Sequence, residues 1–208
     1  MLPIGRRTKV ILLILFVAMA ASFCASKDFL IVNYQLPEKT EIPEEAAVSL
    51  VVKDSREGPA IVTKSAKMAL KGSTGNFFIL YVVRENKDKQ ENKDVPLKGA
   101  FGLHSLIKQI FIHRLENAGI RVASEEESRE TVVEIILKTF KLDFVERKWV
   151  INISYQANLV RQNRFVAGET VTGSAERLRI GGAKSAEKII GELITDVVNR
   201  LDLNELFK

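Results

Sequence analysis

The sharpest pattern in the chain is strict alternation. Trp149, Ile151, Ile153, Tyr155, Ala157 and Leu159 are separated by Val150, Asn152, Ser154, Gln156 and Asn158. A period of two sends successive side chains to opposite faces, so this stretch predicts a strand with one face turned to a core. Just before it, Val133, Ile135 and Leu137 give way to Phe140, Leu142 and Phe144, so the apolar parity flips at Lys138-Thr139. A β-bulge there restores the buried face. Residues 165–179 continue the meander, and Gly168 and Gly173 are expected to weaken or bend it. Nearer the amino end, residues 46–53 (AAVSLVVK) predict a strand ended by the turn-forming Asp54-Ser55-Arg56-Glu57-Gly58-Pro59, and 120–123 a short one. Residues 77–83 (FFILYVV) predict a strand that is apolar on both faces.

Two stretches change to helical spacing. Leu103, Leu106, Ile107, Ile110, Phe111, Leu115 and Ala118 recur at intervals of three and four, predicting a helix over 97–118 that Gly119 ends. Near the carboxyl end Ile189, Ile190, Leu193, Ile194, Val197, Val198 and Leu201 form one stripe, with Ser185 as its expected cap. Residues 84–94 (RENKDKQENKD) alternate in charge without an apolar side chain, as a solvated loop does, and 125–130 form an acidic turn. The expected architecture is α+β: a two-layer sandwich of a mostly antiparallel sheet with two amphipathic helices on one face.

The amino end follows different rules. Arg6, Arg7 and Lys9 precede residues 10–23, which carry no charge, and Cys24 follows. That order is a secretory signal over 1–23. As a helix the run reaches only about 21 Å, short of a hydrocarbon core of about 30 Å. Residues 24–45, with Pro37, Pro43 and four glutamates, read as a tether, which leaves 46–208 as a single α+β domain. Cys24 is the sole cysteine, so no intramolecular disulfide is available and its place at the end of the run needs another reason. It looks like the lipidation cysteine of bacterial lipoproteins, although Phe23 stands where that pattern has a small residue. The alternative is ordinary cleavage after Ala18-Met19-Ala20, leaving a free thiol in a soluble periplasmic protein.

Charge excludes one class of function. The net +5 is concentrated in the signal, and without those first cations acids and bases nearly balance. Such a chain has no broad phosphate-binding field, and its aromatic residues are not interleaved with cations, so nucleic acid is not an expected partner.

Catalytic motifs are equally scarce. His104 and His113 are nine residues apart on one predicted helix, on nearly opposite faces, and cannot share a metal. No Gly-x-Ser-x-Gly elbow occurs, and Gly181-Gly182-Ala183-Lys184-Ser185 lacks the spacing of a phosphate loop. No catalytic residue, metal ligand or cofactor is therefore assigned, and a hydrolase would need a carboxylate cluster that the spacing does not supply. Asp54 and Arg56, two residues apart after the first strand, form either a turn-fixing ion pair or a ligand pair. Phe77, Phe78, Ile79, Leu80 and Tyr81 are the candidate interface, because a strand apolar on both faces needs a second layer or a partner.

A signal ending in one cysteine, then Val48-Ser49-Leu50-Val51-Val52-Lys53-Asp54-Ser55-Arg56, then a helix running into Leu115-Glu116-Asn117-Ala118-Gly119-Ile120-Arg121-Val122, resembles the YajG-like family of bacterial envelope lipoproteins. Gly173-Ser174-Ala175-Glu176-Arg177 before the closing helix fits as well. The resemblance implies a lipid-anchored, periplasm-facing domain without known enzymatic chemistry, and Ala25, rather than Asp, after the cysteine resembles a lipoprotein released to the outer membrane. The functional expectation is a non-enzymatic binding or assembly module that contacts another envelope protein or itself. The alternative is an accessory lipoprotein or carrier of envelope lipid transport, holding an apolar ligand between helices and sheet.

Overall fold

The computed structural model describes residues 29–36, 47–58, 60–70, 79–84, 102–123, 130–180 and 182–208. Three long strands dominate: β4 (Thr131–Val145), β5 (Lys148–Arg161) and β6 (Arg164–Leu178). They form an antiparallel meander, and β2 (Ser49–Asp54) joins the other edge of β4 in parallel, giving the order β2-β4-β5-β6. The alternating residues of β5 behave as their pattern requires: Trp149, Ile151, Ile153, Tyr155, Ala157 and Leu159 are all buried. The register between β4 and β5 shifts between Leu137 and Thr139, at the expected bulge, and Phe140 and Leu142 return to the core beyond it. A second irregularity falls between Leu159 and Val160, opposite Val166.

Both turns of the meander are two-residue turns of positive φ, Glu146-Arg147 (48° and 67°) and Gln162-Asn163 (49° and 61°). That geometry matches the right-handed twist of the flanking strands, which is why such turns close hairpins even without glycine.

The helix layer covers one sheet face. It consists of α2 (Leu103–Asn117) and α3 (Ala183–Asn199), with α1 (Lys64–Ala69) at the β4 edge and the single turn α4 (Leu203–Leu206) at the end of the chain. α2 buries Leu106, Ile107, Ile110, Phe111 and Leu115, the expected stripe. In α3, Leu193 and Val197 press on Gly173 of β6, where a methyl group would collide with both. Close helix-to-sheet approach, rather than a bend in the strand, is what this glycine permits.

The layer is covered on its other side as well. β1 (Phe29–Tyr34) pairs in parallel with β3 (Ile79–Arg84), and β1 runs along α3. Gln35 N–H donates to Thr195 Oγ1 at 2.9 Å, and Asn199 Nδ2 donates to the Gln35 carbonyl at 3.0 Å. At about 100° per residue, Val197 and Thr195 lie roughly 160° apart around α3, so the helix is held between the large sheet and β1.

Three expectations change. Residues 29–34 were assigned to the tether, yet they form β1 with Leu30, Val32 and Tyr34 buried in the core. Ser185 does not cap α3; Gly182, at φ 68°, holds that position, and Ser185 sits in the first turn. The strand expected over 120–123 amounts to one parallel bridge, Val48 to Val122.

Candidate functional site

At the end of β2 the chain leaves the sheet and returns. Ser55 N–H donates to the Leu137 carbonyl at 2.9 Å, and pairing resumes where Leu142 N–H donates to the Ile61 carbonyl at 2.8 Å and Thr63 N–H to Leu142 at 3.0 Å. The excursion between these points lies opposite the bulge in β4. Together they open a cavity of about 480 Å³ lined by Arg56, Glu57, Gly58, Ala60 and the segment from Lys138 to Lys141.

Asp54 and Arg56 stand at its rim and meet. The Asp54 carboxylate accepts from Arg56 Nε at 2.9 Å, from Nη2 at 2.7 Å and from the Arg56 backbone N–H at 3.2 Å. These bonds, led by the guanidinium, hold the Asp54 carboxyl below the usual carboxylate range. The fork-on-fork geometry orients the arginine and fixes the turn. With Lys138 and Lys141 on the opposite wall, the cavity favours a small polar or anionic group over an apolar one.

Beside this edge, Asp143 collects three hydrogen bonds: Thr63 Oγ1 at 2.5 Å, Ser65 Oγ at 2.6 Å and the Phe144 N–H at 2.7 Å. Thr63 also caps α1, so the carboxylate ties that helix to β4. A carboxylate beside two hydroxyls suggests nucleophile chemistry, but the hydrogen bonds from Ser65 and Thr63 lower the Asp143 pKa. A carboxylate stabilised in this way is a weaker base than a free one.

The two histidines serve different strands. His104 Nε2 lies 3.0 Å from the Val52 carbonyl, and His113 Nδ1 lies 2.8 Å from the Tyr34 hydroxyl. Among the described residues no group of three or more His, Cys, Asp or Glu side chains could hold a metal ion. A second cavity, of about 570 Å³, lies between β1 and α3, with Asn33, Gln35, Lys184, Lys188, Glu192 and Thr195 among its lining residues.

Of the residues singled out from sequence, Asp54 and Arg56 are brought together. Cys24, Phe77 and Phe78 lie outside the described residues, while Ile79, Leu80 and Tyr81 belong to β3, whose backbone pairs with β1. Sequence reasoning missed Asp143, Thr63 and Ser65. The Thr63-x-Ser65 pair was the available signal, but its partner lies 80 residues from Thr63. Among the described residues no helix is long and apolar enough to cross a membrane.

No protein-family model matches the chain, and neither does any curated protein sequence. Among solved structures it is similar to a DUF330-family protein from Xanthomonas campestris, at 18% identity and a TM-score of 0.48, over 81% of this chain and 90% of that one. It is also similar to a lipoprotein from Neisseria meningitidis, at 14% identity and a TM-score of 0.30, over 74% and 97%. A third likeness is to a Helicobacter pylori protein described as a neuraminyllactose-binding hemagglutinin homolog, at 7% identity and a TM-score of 0.32, over 82% and 92%. At these identities and scores the likenesses assign neither a ligand nor a role.

Proposed function

We propose that the chain is an envelope lipoprotein, anchored through Cys24 to the outer membrane, whose domain acts in the periplasm as a non-enzymatic binding or assembly module. The observation that carries this reading is the order of cations, uncharged run and sole cysteine over residues 1–24, with a core strand beginning at Phe29. An anchor so close to β1 couples the domain to the membrane surface. The partner is another envelope protein or a second copy of the chain, and the cavity at Asp54 and Arg56 is where a polar ligand or side chain would enter. The alternative of a lipid carrier needs an apolar cavity; the two cavities described above are lined largely by charged and polar side chains.

The test is metabolic labelling with a fatty-acid analogue. The wild type should take the label and Cys24→Ser should lose it, while Phe23→Gly should sharpen processing by restoring a small residue before the cut. One acyl chain binds membranes only marginally and two or more hold stably, so fractionation should follow the label. A soluble, unlabelled chain beginning near Ala21 or Ala25 would overturn the anchor.

A further inference from the structure

One end of the domain carries three exposed apolar side chains: Val145, 48% exposed, Leu178, 55%, and Ile180, 77%. They are neighbours. Val145 pairs with Lys148 across the first turn of the meander, and Lys148 pairs with Leu178 on its other side. The Arg179 N–H donates to the Arg147 carbonyl at 3.0 Å, drawing the exit of β6 against that turn, and the Ile180 N–H returns to Leu178 at 2.9 Å. The Arg179 guanidinium lies over the Phe144 ring, 5.4 Å from its centre, which fixes its position beside the apolar group. Arg147 in the turn and Lys184 at the start of α3 are exposed. Lys148 is paired with Glu176, and Glu146 in the turn and Glu187 in α3 are the remaining acids nearest in sequence to Arg147, Arg179 and Lys184, which leaves one cation in excess.

The direction of β1 shows which way this end faces. Asn33 lies against Gly191, and Gln35 bonds to Thr195 and Asn199, so β1 and α3 run the same way. Four residues of strand, about 13 Å, match eight of helix, about 12 Å, which places Phe29 level with Ala183. Ala183 follows Ile180 by three residues. The five-residue step from Cys24 to Phe29 spans at most about 18 Å. The other end, where Phe165 and Val166 are exposed, is about 45 Å away along β5. There the Phe165 ring also covers Gly168.

We propose that the end formed by Val145, Leu178 and Ile180 rests on the phospholipid bilayer, the three side chains entering the headgroup layer while Arg147, Arg179 and Lys184 meet anionic headgroups. The proposal rests on the lipid-anchored reading of Cys24, which brings the bilayer to the beginning of β1. Apolar side chains at the boundary and cations at the surface bind by the same physics as an amphipathic segment, and each cation near an anionic surface adds to the hold. A surface docked in this way would orient the domain, with the β5–β6 turn pointing away from the membrane.

The test uses the full acylated chain in vesicles of phosphatidylethanolamine and phosphatidylglycerol with brominated acyl chains, which quench nearby tryptophan. Ile180→Trp and Phe165→Trp are compared, each after subtraction of the Trp149 signal, and the mass of the Cys24 peptide reports acylation in the same sample. Quenching at position 180 at least threefold that at 165, reduced when phosphatidylcholine replaces phosphatidylglycerol, is the expected result. Equal quenching at the two positions in an acylated sample overturns the docked end and leaves the anchor standing. Quenching unchanged in phosphatidylcholine removes the cations from the interaction and overturns the proposal as stated. An unacylated Cys24 peptide overturns the anchor, and the docked end falls with it.

Discussion

Gly191 of α3 lies against the carbonyl oxygen of Asn33 in β1, with no room between them for a methyl group. A backbone oxygen cannot rotate aside as a side chain can, so Gly191→Ala must lift β1 from the helix. Overpacking of this kind costs about 1 to 3 kcal/mol. The variant should melt lower than wild type and be cut faster by protease near residues 29–36; unchanged melting and cleavage would show that β1 is not held there.

Ile194 is 1% exposed within the apolar stripe of α3. Ile194→Asp buries a carboxylate within an apolar stripe, at a cost of several kcal/mol. Loss of cooperative unfolding by circular dichroism is expected, and near-wild-type thermal stability would contradict the packing described.

Asp143 gives a dependence on pH. Its folded pKa is lowered, chiefly by hydrogen bonds from Ser65 and Thr63, relative to an unfolded value of about 3.9. The stabilisation is therefore present above the unfolded value and is lost as pH falls through the folded one. Asp143→Asn should be less stable than wild type by about 1 to 3 kcal/mol at pH 7. Urea unfolding from pH 7 to pH 3 should show that gap narrowing below about pH 4. A gap constant across the range would mean that the carboxylate charge contributes nothing.

Arg114 is the buried cation of α2, 7% exposed, and burial lowers its pKa. Its Nη2 reaches the Leu201 carbonyl at 3.4 Å, while its Nε has no hydrogen-bond partner. An incompletely paired buried charge is often replaceable by an apolar side chain of similar length. Arg114→Met should stay within about 1 kcal/mol of wild type or exceed it in denaturant unfolding. A loss above about 3 kcal/mol would show that the guanidinium holds the carboxyl-terminal segment in place.

What the sequence made legible was periodicity sustained over several residues. The β5 alternation, the helix stripes and the parity flip at Lys138-Thr139 each reported one buried face, and each proved correct. β1 escaped because Phe29 and Ile31 fill the parity opposite to Leu30 and Val32, so its six residues show no period, and Pro37 with its acidic neighbours gives the segment the look of a tether. Ser185 was read by position alone. In the fold its hydroxyl accepts from Trp149 Nε1 at 2.9 Å and donates to the Gly182 carbonyl at 2.8 Å, a role set by a residue on another element. The candidate site divides in the same way. Turn chemistry marked Asp54 and Arg56, but the opposite wall of their cavity comes from β4, more than 80 positions along the chain.

The seat of β1 also constrains the order of folding. Gln35 meets Thr195 across 160 residues of sequence, so although β1 can pair with β3 once that strand has been made, its seat is complete only when the last long helix exists. A ribosome delivers the amino end first, and during that time Leu30, Val32 and Tyr34 lack the complete core in which the finished fold buries them. Contacts so distant in sequence close late and slow the approach to the native state. The strand made first is thereby among the last to reach its full set of contacts.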